Sequence, residues 1–239
     1  MEKKDHLIWI DILRIISAFS VVLLHCSASG YYSYSPKSFE WQYYNFYDII
    51  VRFCVPVFVM ISGVFFVDPD RVSTEKKLSY KIVRIFLIYF LWSAFYAITD
   101  IISAGKGYSL VINGHYHLWF LPMLGGLYIV SPILKHIACN KKIMFYYLGL
   151  AIFFVFFAKI IYKLPVIGEH GRVFVDKIGV SIVLGYSSYF LLGYVLYKYE
   201  ISKKIKFLLY LCGVFSVILT ALLTGYIGMK YGKTSEFFL

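Results

Sequence analysis

Seven mostly apolar stretches divide the chain, at roughly 8–28, 48–67, 82–102, 117–134, 143–161, 179–198 and 207–228. Each comes close to the about 20 residues an α-helix needs to cross a bilayer. Polar residues gather between the runs, and their character alternates. Lys3 and Lys4 precede the first run, "DPDRVSTEKKLSYKIVR" follows the second, "KHIACNKK" the fourth and "KYEISKKIK" the sixth. The other connections, "YYSYSPKSFEWQYYNFY", "SAGKGYSLVINGHY" and "YKLPVIGEHGRVFVDK", are aromatic and only mildly basic. The pattern predicts an all-α fold, a polytopic transmembrane helical bundle of about seven spans. Positive-inside asymmetry puts the N-terminus and the basic loops in the cytoplasm and the aromatic loops outside.

Composition sharpens this reading. Of 239 residues, 60% are hydrophobic and 15% charged, and the mean hydropathy is +0.73; soluble domains lie nearer half apolar and a quarter charged. Aromatic residues reach 21%, as expected of a chain with two membrane–water interfaces to line. The net charge of +11 is read as cytoplasmic loops against membrane lipid, not as nucleic-acid binding. Cys26, Cys54, Cys139 and Cys212 form no CxxC pair, which argues against a disulfide framework or a zinc site and predicts free, buried thiols. No metal site is expected. A cleavable signal peptide is disfavoured because Arg14 interrupts the first apolar run, which is also long for one.

The run "DILRIISAFSVVLLH" holds two ionisable residues, Arg14 and His25. Eleven residues are three helical turns plus about 20°, so the two side chains share a face, about 16 Å apart along the axis. Ser17, Ala18 and Val21 lie on or near the stripe between them, and Asp11 is one turn before Arg14, close enough to pair with it. A charge at membrane depth costs roughly 2.5–3.5 kcal/mol even on lenient scales, and such residues usually face a cavity and do work. Arginine grips phosphate and carboxylate groups bidentately, and histidine accepts protons near neutral pH. A phosphate-bearing donor held at Arg14 with its reactive end at His25 suits moving a group across a membrane plane.

These residues carry a resemblance. An arginine and a histidine separated by ten residues on the first span resemble the signature of the acyltransferase-3 family of integral membrane acyltransferases. "RFCVPVFVMISGVFF" resembles that family's second helix, and "KIVRIFLIYFLWS" its third, with Lys81 where an arginine usually stands and Arg84 in the second basic position. "HLWFLPMLGGLYIVSP" is similar to the fourth, with His117, Trp119 and Tyr128. The resemblance implies a single transmembrane acyltransferase-like domain over residues 1–239. The family has about ten spans, so the chain is expected to lack its last three, the alternative being a short member.

The implied reaction moves an acyl group, most often acetyl, from cytoplasmic acetyl-CoA or another acyl-CoA to a hydroxyl of an extracytoplasmic glycan, lipid-linked sugar or related envelope acceptor, in a bacterial plasma membrane. His25 and Arg14 are the expected catalytic residues, with His25 a general base or a covalent acyl carrier. Arg14, Lys81, Arg84, Ser62 and Gly63 are expected on the donor, and Arg52, His117, Trp119 and Tyr128 on the acceptor. The competing reading is a transporter or flippase with an intramembrane Arg/His path.

Other polar positions have simpler expectations. Asp48 is one turn before Arg52 and predicts an intrahelical pair. Pro56 is expected to kink or loosen the second span. Ser62-Gly63 suits close helix packing. His115 and His117 are two apart, which on a helix puts them on different faces and predicts an interfacial cap rather than a metal site.

Overall fold

The computed structural model describes residues 7–70, 75–104, 114–157 and 180–232, with 112, 173 and 177. The fold is all-α, and among the described residues there is no strand. The α-helices are α1 (Ile8–Ser33), α2 (Phe39–Val51), α3 (Cys54–Phe66), α4 (Glu75–Ala104), α5 (Phe120–Cys139), α6 (Lys141–Ala151), α7 (Val180–Lys198) and α8 (Lys203–Tyr231). A 3-10 turn, Tyr116–Trp119, leads into α5, and a π-helical turn, Ile152–Phe157, continues α6. Among the described residues, five segments are long and apolar enough to cross a membrane: Ile8–Ser33, Phe39–Phe66, Lys76–Ile102, Tyr116–Cys139 and Lys203–Lys230. They coincide with five of the seven predicted runs. α6 with its π turn and α7 occupy the other two, and the end of the run at 143–161 lies outside the described residues.

The chain divides into two compact units, Met1–Ile61 with Val195–Leu239, and Ser62–Tyr194. In the first unit, α1 and α2 pack side by side. The sequence "YYSYSPKSFEWQYYNFY", expected as an outer loop, is mostly helical instead; only Tyr34–Ser38 connect α1 to α2. Three of its aromatic side chains, Tyr31, Trp41 and Tyr44, fill the helix–helix seam, while Tyr32, Phe39, Tyr43, Phe46 and Tyr47 stay exposed. Trp41 is fully buried, its indole N–H donating to the Tyr31 carbonyl at 3.0 Å. Tyr34 stacks on Tyr44 at 5.6 Å, and the Tyr44 ring occupies the space where a Cβ on Gly30 would stand. Pro36 holds the turn, and the Ser38 hydroxyl caps α2 by accepting from the Trp41 N–H at 3.2 Å. α8 approaches the same end of α2 through small residues. A Cβ on Gly225 would meet the Gln42 side chain at 3.0 Å, and one on Gly228 would meet Pro36 at 2.9 Å. One turn away, the Asn45 amide donates to the Ala221 carbonyl at 3.2 Å. Small residues at such seams let backbones close in where no hydrophobic drive separates protein from lipid. Elsewhere α8 exposes Phe207, Leu211, Phe215 and Leu222, the surface expected of a helix that meets acyl chains.

Pro56 divides the second span as expected. α2 ends at Val51, α3 begins at Cys54, and the missing N–H of Pro56 removes the bond that the Arg52 carbonyl would accept. Of the four free cysteines, only Cys54 is buried; Cys26, Cys139 and Cys212 are exposed on their helices. The expectation of buried thiols fails for these three because a helix in lipid needs no protein cover for an apolar position.

In the second unit, α4 packs on α5, where a Cβ on Gly125 would touch the Phe86 ring at 3.0 Å. Asn140 alone separates α5 from α6 and caps the latter, its side-chain oxygen accepting from the Lys142 and Ile143 N–H groups at 3.0 and 3.2 Å. α7 breaks its helical geometry at Gly185 (φ −45°, ψ −113°), and just beyond the break Ser187 hydrogen-bonds Tyr147 of α6 at 2.7 Å. Gly63 of α3 lies directly against the main chain of Phe190 in α7, where any Cβ would overlap the Phe190 carbonyl oxygen. Gly63→Ala is therefore expected to destabilise the protein by about 1–3 kcal/mol, since a backbone neighbour cannot rotate aside. The thermal unfolding midpoint in detergent measures it, and an unshifted midpoint would show that the helices separate freely.

Candidate active site

α1 carries both Arg14 and His25. Arg14 donates from Nη1 to Asp11 Oδ1 at 2.8 Å, with the two side chains 45% and 37% exposed. His25, three turns on, is half-buried. The residues by which α1 meets α2, Gly30, Tyr31 and Tyr34, lie about 120–180° around the helix from His25. At that end of α1, His25 lies on a different side of the helix from these contacts. Ser17, one turn after Arg14, is fully buried, and its hydroxyl has no hydrogen-bond partner among the described residues.

Arg52 stands at the α2–α3 break as the C-cap of α2. Its Nε and Nη2 both reach Asp48 Oδ2 at 2.5 Å, with Asp48 6% and Arg52 28% exposed. The geometry is the intrahelical pair that the i, i+4 spacing predicted, drawn into a buried position. Asn45, one turn earlier on the same face, leaves its side-chain oxygen buried without a hydrogen-bond partner among the described residues. Asn45, Asp48 and Arg52 thus form a polar column beside the apolar buried residues Trp41, Ile49 and Val51.

In the second unit, Lys81 and Tyr128 meet through a residue that sequence reasoning did not single out. The Lys81 ammonium lies 4.3 Å from the centroid of the Phe66 ring, and Phe66 stacks on Tyr128 at 4.0 Å. Phe190, fully buried, stands 6.2 Å from Phe66 and 6.3 Å from Tyr128. Phe66 closes the run in which Ser62 and Gly63 sit, and Gly63 itself contacts the Phe190 backbone. Lys81, Gly63 and Tyr128 thus border one aromatic cluster. A cation over a ring face is held there electrostatically. Arg84, one turn beyond Lys81 on α4, is exposed. No feature of the sequence marked Phe190.

His117 and Trp119 lie at the other end of α5, in the 3-10 turn. Tyr128 is about 14 Å further along the helix from Trp119, so it belongs with Lys81 rather than with these two. Trp119 packs at 5.9 Å on Tyr186 of α7, next to the Gly185 break. His117 and His115 do touch, with their Nδ1 atoms 2.8 Å apart. The expectation that an i, i+2 pair faces apart assumed a helix, but His115 is extended (φ −71°, ψ 149°) and only the following residues turn. Among the described residues, no three His, Cys, Asp or Glu side chains gather as metal ligands.

The acyltransferase-3 family model, described as an acyltransferase domain, matches residues 7–238. The chain belongs to this family. It is a membrane acyltransferase domain, and the match takes in every candidate residue described above. No curated protein and no solved structure matches the chain.

Proposed function

We propose that this acyltransferase domain moves an acetyl group from cytoplasmic acetyl-CoA to a hydroxyl of an extracytoplasmic glycan or related envelope acceptor, in a bacterial plasma membrane. The observation that carries the reading is the stripe on α1, with a guanidinium and an imidazole on one side of one transmembrane helix, eleven residues apart. Arg14 is a permanent cation suited to the phosphates of coenzyme A, with its position already set by Asp11. Lys81 and Arg84 add cationic charge on α4, and the Phe66–Tyr128 stack beneath Lys81 offers an aromatic wall to a heteroaromatic donor. Ser62 and Gly63 bring α3 to that wall.

His25, deeper along α1, acts on the acceptor hydroxyl as general base; the acyl-carrier role is the other use of the same imidazole. Arg52, His117 and Trp119 are assigned to the acceptor. An arginine paired with a carboxylate keeps further N–H donors for substrate oxygens, and an indole ring suits the apolar face of a sugar.

Incubating membranes that contain the protein with acetyl-labelled acetyl-CoA tests the reaction. Label is expected to enter a covalent envelope product that is stable to washing and released by mild base as an ester. Label that stays as free acetyl-CoA on either side of the membrane would instead mark transport without chemistry.

A further inference from the structure

The break at Gly185 interrupts α7 inside an otherwise apolar run. A Cβ on Gly185 would meet no heavy atom within 4 Å, so open space adjoins the break. Hydroxyls gather there. Ser188 donates to the Gly185 carbonyl at 2.7 Å, and Ser187 shares a hydrogen bond of 2.7 Å with Tyr147 of α6. Both serines are buried. Beside them stand rings. Tyr186, the residue after the break, lies 5.9 Å from Trp119 at an inclination of 42° and 6.4 Å from Tyr189 at 39°. Trp119 is 43% exposed and Tyr186 is half-buried.

Non-helical backbone at membrane depth is tolerated where protein buries it or where it lines a water-filled cavity. The open space beside Gly185 favours the second case. Among the described residues, the Tyr186 hydroxyl and the Trp119 indole N–H form no hydrogen bond, and no charged side chain contacts either ring. Two tilted rings with an O–H and an N–H left for an outside partner match a neutral pyranose. Its C–H face lies on an aromatic ring, and its hydroxyls both donate to and accept from the polar handles. An acyl chain offers nothing to the O–H and N–H. A phosphate or carboxylate finds no cation at this wall; Lys135 and Lys198 stand near the other ends of α5 and α7, about 24 and 18 Å along the helix axes.

We propose that Trp119 and Tyr186, set at the Gly185 break, form a binding wall for a neutral pyranose ring of the acceptor, with Tyr186 the residue that selects for ring hydroxyls. The inference rests on the acceptor reading of Trp119 made above. It adds Tyr186, which lies beyond the stretches that resemble the family, and the open space at Gly185 as the room the sugar occupies. The Ser187–Tyr147 bond ties α7 to α6 just past the break and fixes the turn from which Tyr186 projects.

Saturation-transfer NMR on the full chain in lipid nanodiscs tests this, with the methyl β-glycosides of glucose, galactose and N-acetylglucosamine as probes. Irradiating the aromatic protons is expected to give signal on the sugar ring protons above that from empty nanodiscs. Trp119→Leu is expected to weaken the apparent affinity about ten-fold, the upper scale of an aromatic stack. Tyr186→Phe keeps the ring and its packing on Trp119, and is expected to weaken it about three- to ten-fold, the scale of one hydrogen bond. No signal with any of the three glycosides, or signal unchanged in both variants, overturns the inference. Displacement of the glycoside by an equal concentration of cyclohexanol would mark a lipid-facing apolar patch and overturns it as well. Binding needs no donor. A protein that takes a glycoside at these rings but transfers no label from acetyl-CoA therefore contradicts the proposed reaction alone, whereas one that transfers label without glycoside signal contradicts this inference alone.

Discussion

Replacing His25 by alanine is expected to lower acyl transfer by about 10²- to 10⁴-fold, the range that a positioned proton-transfer group contributes. The loss should fall on turnover, with donor affinity nearly unchanged, because the phosphates are assigned to Arg14, three turns away. His25 is half-buried on a face that α2 does not cover. Its removal therefore takes no packing from the α1–α2 seam, where Gly30, Tyr34 and Tyr44 meet. Thermal stability is expected to stay close to that of the wild type, which separates a chemical role from a structural one. A His25→Ala protein that unfolds earlier and loses activity in proportion would point to structure alone.

The second large effect is expected at the α2–α3 break. Asp48 is 6% exposed and its carboxylate faces both Nε and Nη2 of Arg52. Asp48→Ala leaves a guanidinium that is 28% exposed without its counter-charge. Removing one partner of a buried pair costs about 3–5 kcal/mol, and the residual exposure of Arg52 places this case near the lower end. The same break carries Pro56, so the Arg52 carbonyl already lacks its helical partner. The double variant Asp48→Ala/Arg52→Met is expected to recover most of the lost stability, because it removes the stranded charge and keeps apolar volume. Thermal aggregation in detergent, compared across the two single variants and the double, measures this. Equal loss in all three would show that packing, not charge, holds the break together.

Much of this fold is legible in the sequence because lipid imposes a simple rule. A spanning helix must satisfy its own backbone and present about 20 apolar residues, so hydropathy alone locates the spans. The Asp11–Arg14 and Asp48–Arg52 pairs follow from helical spacing, and the helix break follows from Pro56. The shared face of Arg14 and His25 is arithmetic on 3.6 residues per turn. Where the reading failed, a local assumption was overruled by tertiary packing. Tyr31, Trp41 and Tyr44 have the composition of an outer loop, yet they fill a helix–helix seam, which extends both helices and shortens the connection to five residues. His115 and His117 meet because Gly114 and Tyr89 take the chain out of helical geometry just before them. Tyr128 shares with Trp119 only its helix; its ring belongs to the Phe66 cluster under Lys81. Contacts between distant positions, such as Gly63 with Phe190, leave no periodic trace, and a glycine shows only that something comes close.

The proposed reaction requires the imidazole and the guanidinium of α1 to act on one donor. Sealed vesicles that carry the protein, given acetyl-labelled acetyl-CoA on the face that bears the basic loops, test this most directly. Base-labile covalent label is expected on an acceptor confined to the opposite face, falling to background in His25→Ala vesicles. Covalent label that persists undiminished in His25→Ala vesicles, or label that crosses unreacted, would contradict it.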